Sequence, residues 1–148
     1  MSQIIKLSSD DEEINLNPEH LQFTEATLNE FLKNSPSWFS YYSQIQSRAQ
    51  LIATMYEDRH EQIYSEKFKI YKTEGGSDKF VEASAKTDPD VINALKNARK
   101  AKENLNCISG FLRALDKANQ NALNLGYNMR KEMDKIGNSI KSLNEILN

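Results

Sequence analysis

The stretch "VINALKNARKAKENLNCISGFLRALDKA", residues 91–118, begins the longest regular pattern in this chain of 148 residues. Apolar or small side chains recur at every seventh residue and again three residues after each, and the pattern continues to residue 147. Fifteen of the seventeen positions are apolar, the exceptions being Asn119 and Gly126. A 3.5-residue repeat of this length predicts one helix, or two collinear helices, packing a narrow apolar seam against a partner helix.

The two ends of this seam differ. Alanine occupies positions 94, 98 and 101, which allows a partner backbone to approach closely, whereas Met, Ile and Leu prevail from position 129 onward. Asn119 fixes the register or oligomer number of the seam, or else Gly126, within "NQNALNLGYN", marks a hinge or turn. A helix of nearly sixty residues would be ~85 Å long, more than the rest of this chain can cover. The segment therefore folds back near Gly126 or is covered by other chains, and we expect self-association.

The three prolines predict where helices begin. Each follows a residue that is a good N-cap, in Asn17-Pro18, Ser35-Pro36 and Asp88-Pro89. Proline suits the first helical position, and the preceding side chain can accept from free amides of the first turn. A long helix is expected over about 36–72, because apolar residues recur there at steps of three and four. A glycine loop at 73–78, a short helical piece and a heptad helix or helices over about 89–147 complete an all-α fold, a helical bundle assembled as an oligomer.

Charge is distributed unevenly along the chain. The net charge is −2, but residues 1–30 hold seven acids against Lys6 alone, so the remaining residues carry +4. Residues 1–17 are read as an acidic, flexible arm, followed by a single helical domain over 18–148. Such an arm is a solvated leader, binds a basic partner, or covers the basic face of the body.

Signals for membranes and catalysis are weak. No run approaches the ~20 apolar residues that a membrane span needs. One cysteine, Cys107, excludes an intrachain disulfide and favours a reducing, cytoplasmic compartment. The two histidines, His20 and His60, lack metal-ligand spacing, and no phosphate-binding glycine motif is present. We predict no catalytic residue, no metal site and no cofactor.

Basic residues are the better candidates for a binding surface. In "YSEKFKIYKTEGGSDKF", residues 64–80, lysines alternate with aromatic residues, and "KNARKAK" follows at 96–102. Binders of single-stranded nucleic acid combine a positive groove with aromatic platforms on which bases stack. The ordinary alternative is that the lysines keep a helix soluble and that Tyr64 and Phe68 pack inward. The candidate nucleic-acid-binding residues are Lys67, Lys69, Tyr71, Lys72, Lys79, Lys96, Arg99 and Lys100.

From about residue 36 onward the chain resembles the UvsY-type recombination mediators of tailed phages. The similarity lies in the order of five features, "EKFKIYK", "TEGGSD", "KTDPDV", "NCISGFLRALDKA" and "NMRKEMDKI". The resemblance implies a ring of six or seven subunits that binds single-stranded DNA and helps load a phage recombinase onto strands coated by single-strand-binding protein. It assigns the DNA contact to the lysines at the end of the long helix. It assigns oligomerisation to the C-terminal seam, Met129, Met133, Ile136, Ile140, Leu143 and Leu147.

Two functions of different classes follow from the sequence. The first is non-enzymatic, sequence-independent binding of single-stranded DNA by an oligomeric recombination mediator in the cytoplasm, which is the host cytoplasm if a phage encodes the protein. The second is a helical adaptor, scaffold or inhibitor that acts through protein contacts of the seam or of the acidic arm.

Overall fold

The computed structural model describes residues 3–6 and 13–147. A short antiparallel pair of strands, β1 (Gln3–Lys6) and β2 (Glu13–Leu16), precedes a 3₁₀ turn at Pro18–Leu21. Three helices follow: α1 (Leu28–Glu74), α2 (Asp78–Thr87) and α3 (Pro89–Leu147). The prediction of an all-α fold is confirmed, with the small hairpin as an addition that it did not contain.

The chain divides into two compact units. The first comprises the hairpin and residues 42–111, and the second comprises residues 17–41 and 112–147. Both α1 and α3 therefore contribute to each unit. The single helical domain over 18–148 that the sequence suggests stays a prediction.

In the first unit, α1 and α3 run antiparallel. The Tyr42 and Phe111 rings lie 4.6 Å apart, and further along Lys102 Nζ lies 3.1 Å from Glu57 Oε1. The core between these two helices contains many small and branched residues. Alanines at the contact let the two helices approach closely. Its buried members on α1 and α3 include Tyr42, Ile45, Ala49, Ala53, Val91, Ala94, Ala98, Ala101 and Ile108, and α2 adds Val81 and Ala85.

In the second unit, half-buried aromatic rings pack around the buried Phe31. The His20 and Trp38 rings stack 4.2 Å apart, and Phe31 packs edge-on against Trp38 and tilted against Phe23. On α3, Leu112, Leu115 and Ala122 are buried. The Ser35 hydroxyl donates to Asn119 Oδ1 over 3.0 Å, so the polar seam residue is paired within the chain and fixes the register of α1 against α3 in this unit.

The heptad pattern predicted one long helix or two, and α3 is one helix that continues through Gly126. A Cβ added at Gly126 would lie 3.6 Å from Cδ2 of Leu28, the first residue of α1, which is an ordinary contact distance. The seam before Gly126 is largely buried. After it, α3 extends past the beginning of α1, and no fold-back occurs.

The predicted start of the long helix near Pro36 is wrong, because α1 begins at Leu28 and Pro36 lies inside it. Proline there has no N–H to donate to Leu32, which is unfavourable in a helix. Burial of Leu28 and Phe31 in the second unit stabilises the extra turns. The other two starts are confirmed: Asn17 caps the 3₁₀ turn, and the Asp88 carboxylate accepts from the Asp90 N–H at the beginning of α3.

The acidic arm over residues 1–17 is corrected where the structure describes it. Residues 3–6 pair with residues 13–16, with Ile5 opposite Ile14. Side chains alternate across β2, so that Ile14 and Leu16 are buried while Glu13 and Asn15 are exposed. The Asn104 amide donates to the Lys6 carbonyl and attaches the hairpin to α3. The acids Asp10, Asp11 and Glu12 lie outside the described residues.

Candidate nucleic-acid interface

The glycine pair separates the end of α1 from α2. Gly75 and Gly76 have φ of 94° and 141°, a region that residues with side chains rarely adopt. Ser77 then caps α2, with its hydroxyl 3.4 Å from the Phe80 nitrogen. The predicted glycine loop at 73–78 therefore narrows to residues 75–77.

A nearly buried carboxylate, Asp88, joins α1 to the beginning of α3. Its side chain accepts from the Tyr71 hydroxyl at 2.9 Å and lies 3.3 Å from Lys67 Nζ. Lys67 also contacts Asp90 at 2.6 Å. These four side chains, Lys67, Tyr71, Asp88 and Asp90, form what we call the Asp88 cluster.

The contacts of the Asp88 cluster shift the pKa values of its members. Burial alone raises the pKa of Asp88, but hydrogen bonds from Tyr71, from the Asp90 N–H and from Lys67 outweigh it, so this pKa lies below the ordinary aspartate value. The hydrogen bond to Asp90 is the main reason why the pKa of Lys67 is raised. The hydrogen bond to Asp88 is the main reason why the pKa of Tyr71 is raised.

We expect Asp88→Asn to flatten the pH dependence of stability. A lowered pKa in the folded state stabilises the fold fully above the ordinary aspartate value of about 3.9, and this contribution is lost as pH falls through the folded value. The raised pKa of Tyr71, which depends mainly on Asp88, stabilises the fold fully below its ordinary value of about 10, and that contribution is lost as pH rises through the folded value. Lys67 keeps Asp90, the main cause of its raised pKa, in this variant. Urea unfolding at pH values below and above each of these ordinary pKa values measures both effects. Asp58→Asn, an exposed change outside the cluster, is the control, and identical pH profiles for wild type and Asp88→Asn would contradict this account.

Half of the predicted nucleic-acid-binding residues have a partner within the chain. Lys67 and Tyr71 belong to the Asp88 cluster, Lys72 contacts Asp78, and Lys100 lies 3.2 Å from Glu103. The Tyr71 ring is half-buried and its hydroxyl is occupied, which does not suit the stacking role that the sequence suggested.

The other four predicted basic residues differ in this respect. Within residues 3–6 and 13–147, the side chains of Lys69, Lys79, Lys96 and Arg99 are exposed and make no ion pair. We call these four the unpaired basic residues. An external anion would therefore displace no carboxylate of the described residues from these four side chains.

Sequence reasoning missed one aromatic residue, Phe80. It is 62% exposed, and its ring lies against Gly76, where an added Cβ would be 2.9 Å from Phe80 Cδ1. Its neighbour Lys79 is one of the unpaired basic residues. The signal in the sequence was an aromatic residue directly after a glycine loop and a lysine, whereas Tyr71 was favoured because lysines lie beside it in the sequence.

The C-terminal seam is exposed where the structure describes it. Met129 is half-buried, while Met133, Ile136, Ile140 and Leu143 are between 53% and 69% exposed. Ile146, beside the seam, is 80% exposed. The side chain of Leu147 lies outside the described part. Side chains of this size at heptad spacing form a surface that is apolar enough to bind another helix.

Metal ligands, the cysteine and membrane-spanning helices were also considered in the described residues. Within the described residues, no group of three or more His, Cys, Asp or Glu side chains is placed to hold a metal ion. Cys107 is half-buried on α3. Of the helices that the structure describes, none has the length and apolarity to cross a membrane.

No protein-family model, curated protein or solved structure matches this chain. The resemblance to UvsY-type mediators therefore stays a prediction based on the order of sequence features.

Proposed function

We propose that this protein is a non-enzymatic binder of single-stranded DNA that works as an oligomer, assembled through its C-terminal seam, and acts as a recombination mediator in the cytoplasm. Its partners would be a recombinase and a single-strand-binding protein. The observation that carries the proposal is the contrast between the unpaired basic residues and their neutralised neighbours.

The unpaired basic residues suit phosphate contact. A lysine already paired with a carboxylate must give up that partner to bind a phosphate, whereas Lys69, Lys79, Lys96 and Arg99 need not. Four cations per chain bind weakly alone, but copies assembled together present them many times to one strand. Phe80 beside Lys79 offers a platform for base stacking, worth ~1–3 kcal/mol per base.

Self-association is supported by the exposed seam. Residues 129–146 extend the heptad pattern that packs within the chain, yet they have no partner helix in the described structure. Covering each large apolar side chain contributes about 1.5–3 kcal/mol. A second copy of this chain offers a segment of the same length and character.

The alternative is a helical adaptor or scaffold that acts through the seam alone. It is favoured by the neutralisation of Lys67, Lys72 and Lys100, which leaves fewer cations for a nucleic acid than the sequence suggested. It requires no role for the unpaired basic residues.

Matched charge changes separate these two functions. The variant Lys69→Ala/Lys79→Ala/Arg99→Ala removes three unpaired cations, and Lys72→Ala/Lys100→Ala/Lys102→Ala removes three cations that have carboxylate partners. Each changes the net charge by the same amount. Fluorescence anisotropy of a labelled thirty-nucleotide single strand is measured between about 50 and 200 mM salt, where phosphate contacts weaken strongly.

Log affinity falls as log salt rises, and we expect the first variant to make this negative slope shallower by about 2. Each lost contact on a single strand reduces its magnitude by about 0.7. The second variant should keep nearly the wild-type slope. Equal effects of the two would contradict direct contact by the unpaired basic residues. No binding by the wild type at low salt would exclude DNA and leave the adaptor function.

A further inference from the structure

A groove of about 460 Å³ runs between α1 and α3 in the first unit, near the Asp88 cluster. Tyr56, Ile63 and Ala94 supply apolar surface, and Asn93 and Asn97 lie along the α3 side. Its volume falls in the range of small-molecule sites, about 300–1,000 Å³. We call it the Asn93 groove.

The charges that line the Asn93 groove cancel. Arg59 and Lys67 are balanced by Glu66 and Asp90, and Lys67 is already paired with Asp90 at 2.6 Å. A phosphate would meet as much negative as positive charge. The groove is therefore suited to a neutral group that forms hydrogen bonds.

The Asn93 and Asn97 amides offer hydrogen-bonding groups on the α3 side of the groove. They are exposed, one helical turn apart, and neither side chain makes a hydrogen bond to any part of the chain that the structure describes. Each amide offers two N–H donors and a carbonyl acceptor on one plane. An asparagine amide can pair with both N6 and N7 of adenine, which thymine cannot match.

The Arg59 guanidinium completes the groove on the α1 side. One of its nitrogens donates to Gln62, and no carboxylate pairs with it among the described residues. A planar guanidinium stacks readily on a base, and Tyr56 beside it adds an aromatic face.

We infer that the Asn93 groove holds one unstacked base of a bound single strand, with adenine preferred, paired to Asn93 or Asn97 and stacked against Arg59 and Tyr56. This inference rests on the proposed binding of single-stranded DNA and adds a base preference to it. The unpaired basic residues then hold the phosphates and set the salt dependence, whereas the groove sets the preference among bases.

The test compares Asn93→Ala/Asn97→Ala with wild type on labelled (dA)30 and (dT)30. Asn106→Ala, an exposed asparagine on the same helix outside the groove, is the matched control. Alanine favours helix at all three positions, so folding should be retained. We expect the double variant to bind (dA)30 about tenfold more weakly, within the discrimination of a good amide–adenine pair, with (dT)30 affinity and salt slope unchanged.

Ligand-observed NMR with deoxyadenosine and thymidine, which carry no phosphate, tests the groove independently of the strand. Saturation transfer to deoxyadenosine that Asn93→Ala/Asn97→Ala abolishes and Asn106→Ala keeps would support the inference. No transfer would overturn it, even if the strand binds well.

The remaining outcomes distinguish failure of the base site from failure of the proposed function. A double variant with wild-type binding to both strands overturns the inference and leaves the proposed function standing. One that loses self-association in sedimentation assigns the groove to a protein contact and overturns it too. Failure of the wild type to bind either strand refutes the proposed function instead, and deoxyadenosine then decides on the groove alone.

Discussion

Charge introduced into the C-terminal seam, as Met133→Glu/Ile140→Glu, is expected to abolish the proposed self-association and leave monomers. Both side chains are more than half exposed in the single chain, so the change should leave each folded unit intact. In an assembly they would be buried. Each loses about 1.5–3 kcal/mol of apolar burial, and an unpaired carboxylate is costly to bury. We expect self-association to weaken at least about a thousandfold, which sedimentation velocity across a concentration series would show.

The control places the same two charges off the seam. Asn138→Glu/Ser142→Glu adds two carboxylates to exposed positions on the same part of α3. It should assemble as the wild type does. If wild type is monomeric at high concentration, or if both variants dissociate equally, the seam is not the contact between copies. If assembly multiplies weak DNA contacts, the seam variant should also lose strand affinity although it retains every basic residue.

Truncation of Ile108 to alanine is expected to have the largest effect on stability. Ile108 is fully buried on α3 in the first unit. Removing its branched side chain leaves a cavity, because close-packed neighbours relax only in part. We expect the free energy of unfolding in urea to fall by about 2–5 kcal/mol, with little change in the denaturant slope.

Ile92→Ala provides the matched comparison, since Ile92 lies on the same helix and is 51% exposed. This variant should lose less than about 1 kcal/mol, because most of its side chain already contacts water. A loss from Ile92→Ala as large as that from Ile108→Ala would mean that the exposed face of α3 is covered, by another copy or by a partner.

Much of the candidate site depended on contacts between segments distant in sequence. Lys67 and Lys72 of "EKFKIYK" were visible in the chain, but the carboxylates that pair with them were not assignable. Asp88 reaches Tyr71 and Lys67 only because α1 and α3 run antiparallel within the first unit. The neighbouring lysines suggested Tyr71 as the aromatic residue for stacking, whereas the folded chain leaves Phe80 exposed instead.

The Pro36 error has a comparable origin. Local preference places a proline at the first position of a helix. Pro18 after Asn17 and Pro89 after Asp88 follow that preference. At Ser35 the hydroxyl bonds to Asn119 on another helix, and burial of Leu28 and Phe31 extends α1 by two turns. Tertiary packing outweighed a local signal there, as it commonly does. The hairpin was missed because four-residue strands give little periodicity to detect.

The sequence by itself determined the helical class, the beginning of α3, the glycine loop and the seam, because each depends on local backbone preference or on a repeat along one helix. Only the tertiary structure decided which half of the seam is buried within the chain, which cations are neutralised, and which aromatic residue is exposed. The reason is physical: helix formation involves neighbours three or four residues apart, whereas burial, and ion pairs such as Lys67–Asp88 and Lys102–Glu57, depend on residues that folding brings together from distant parts of the chain.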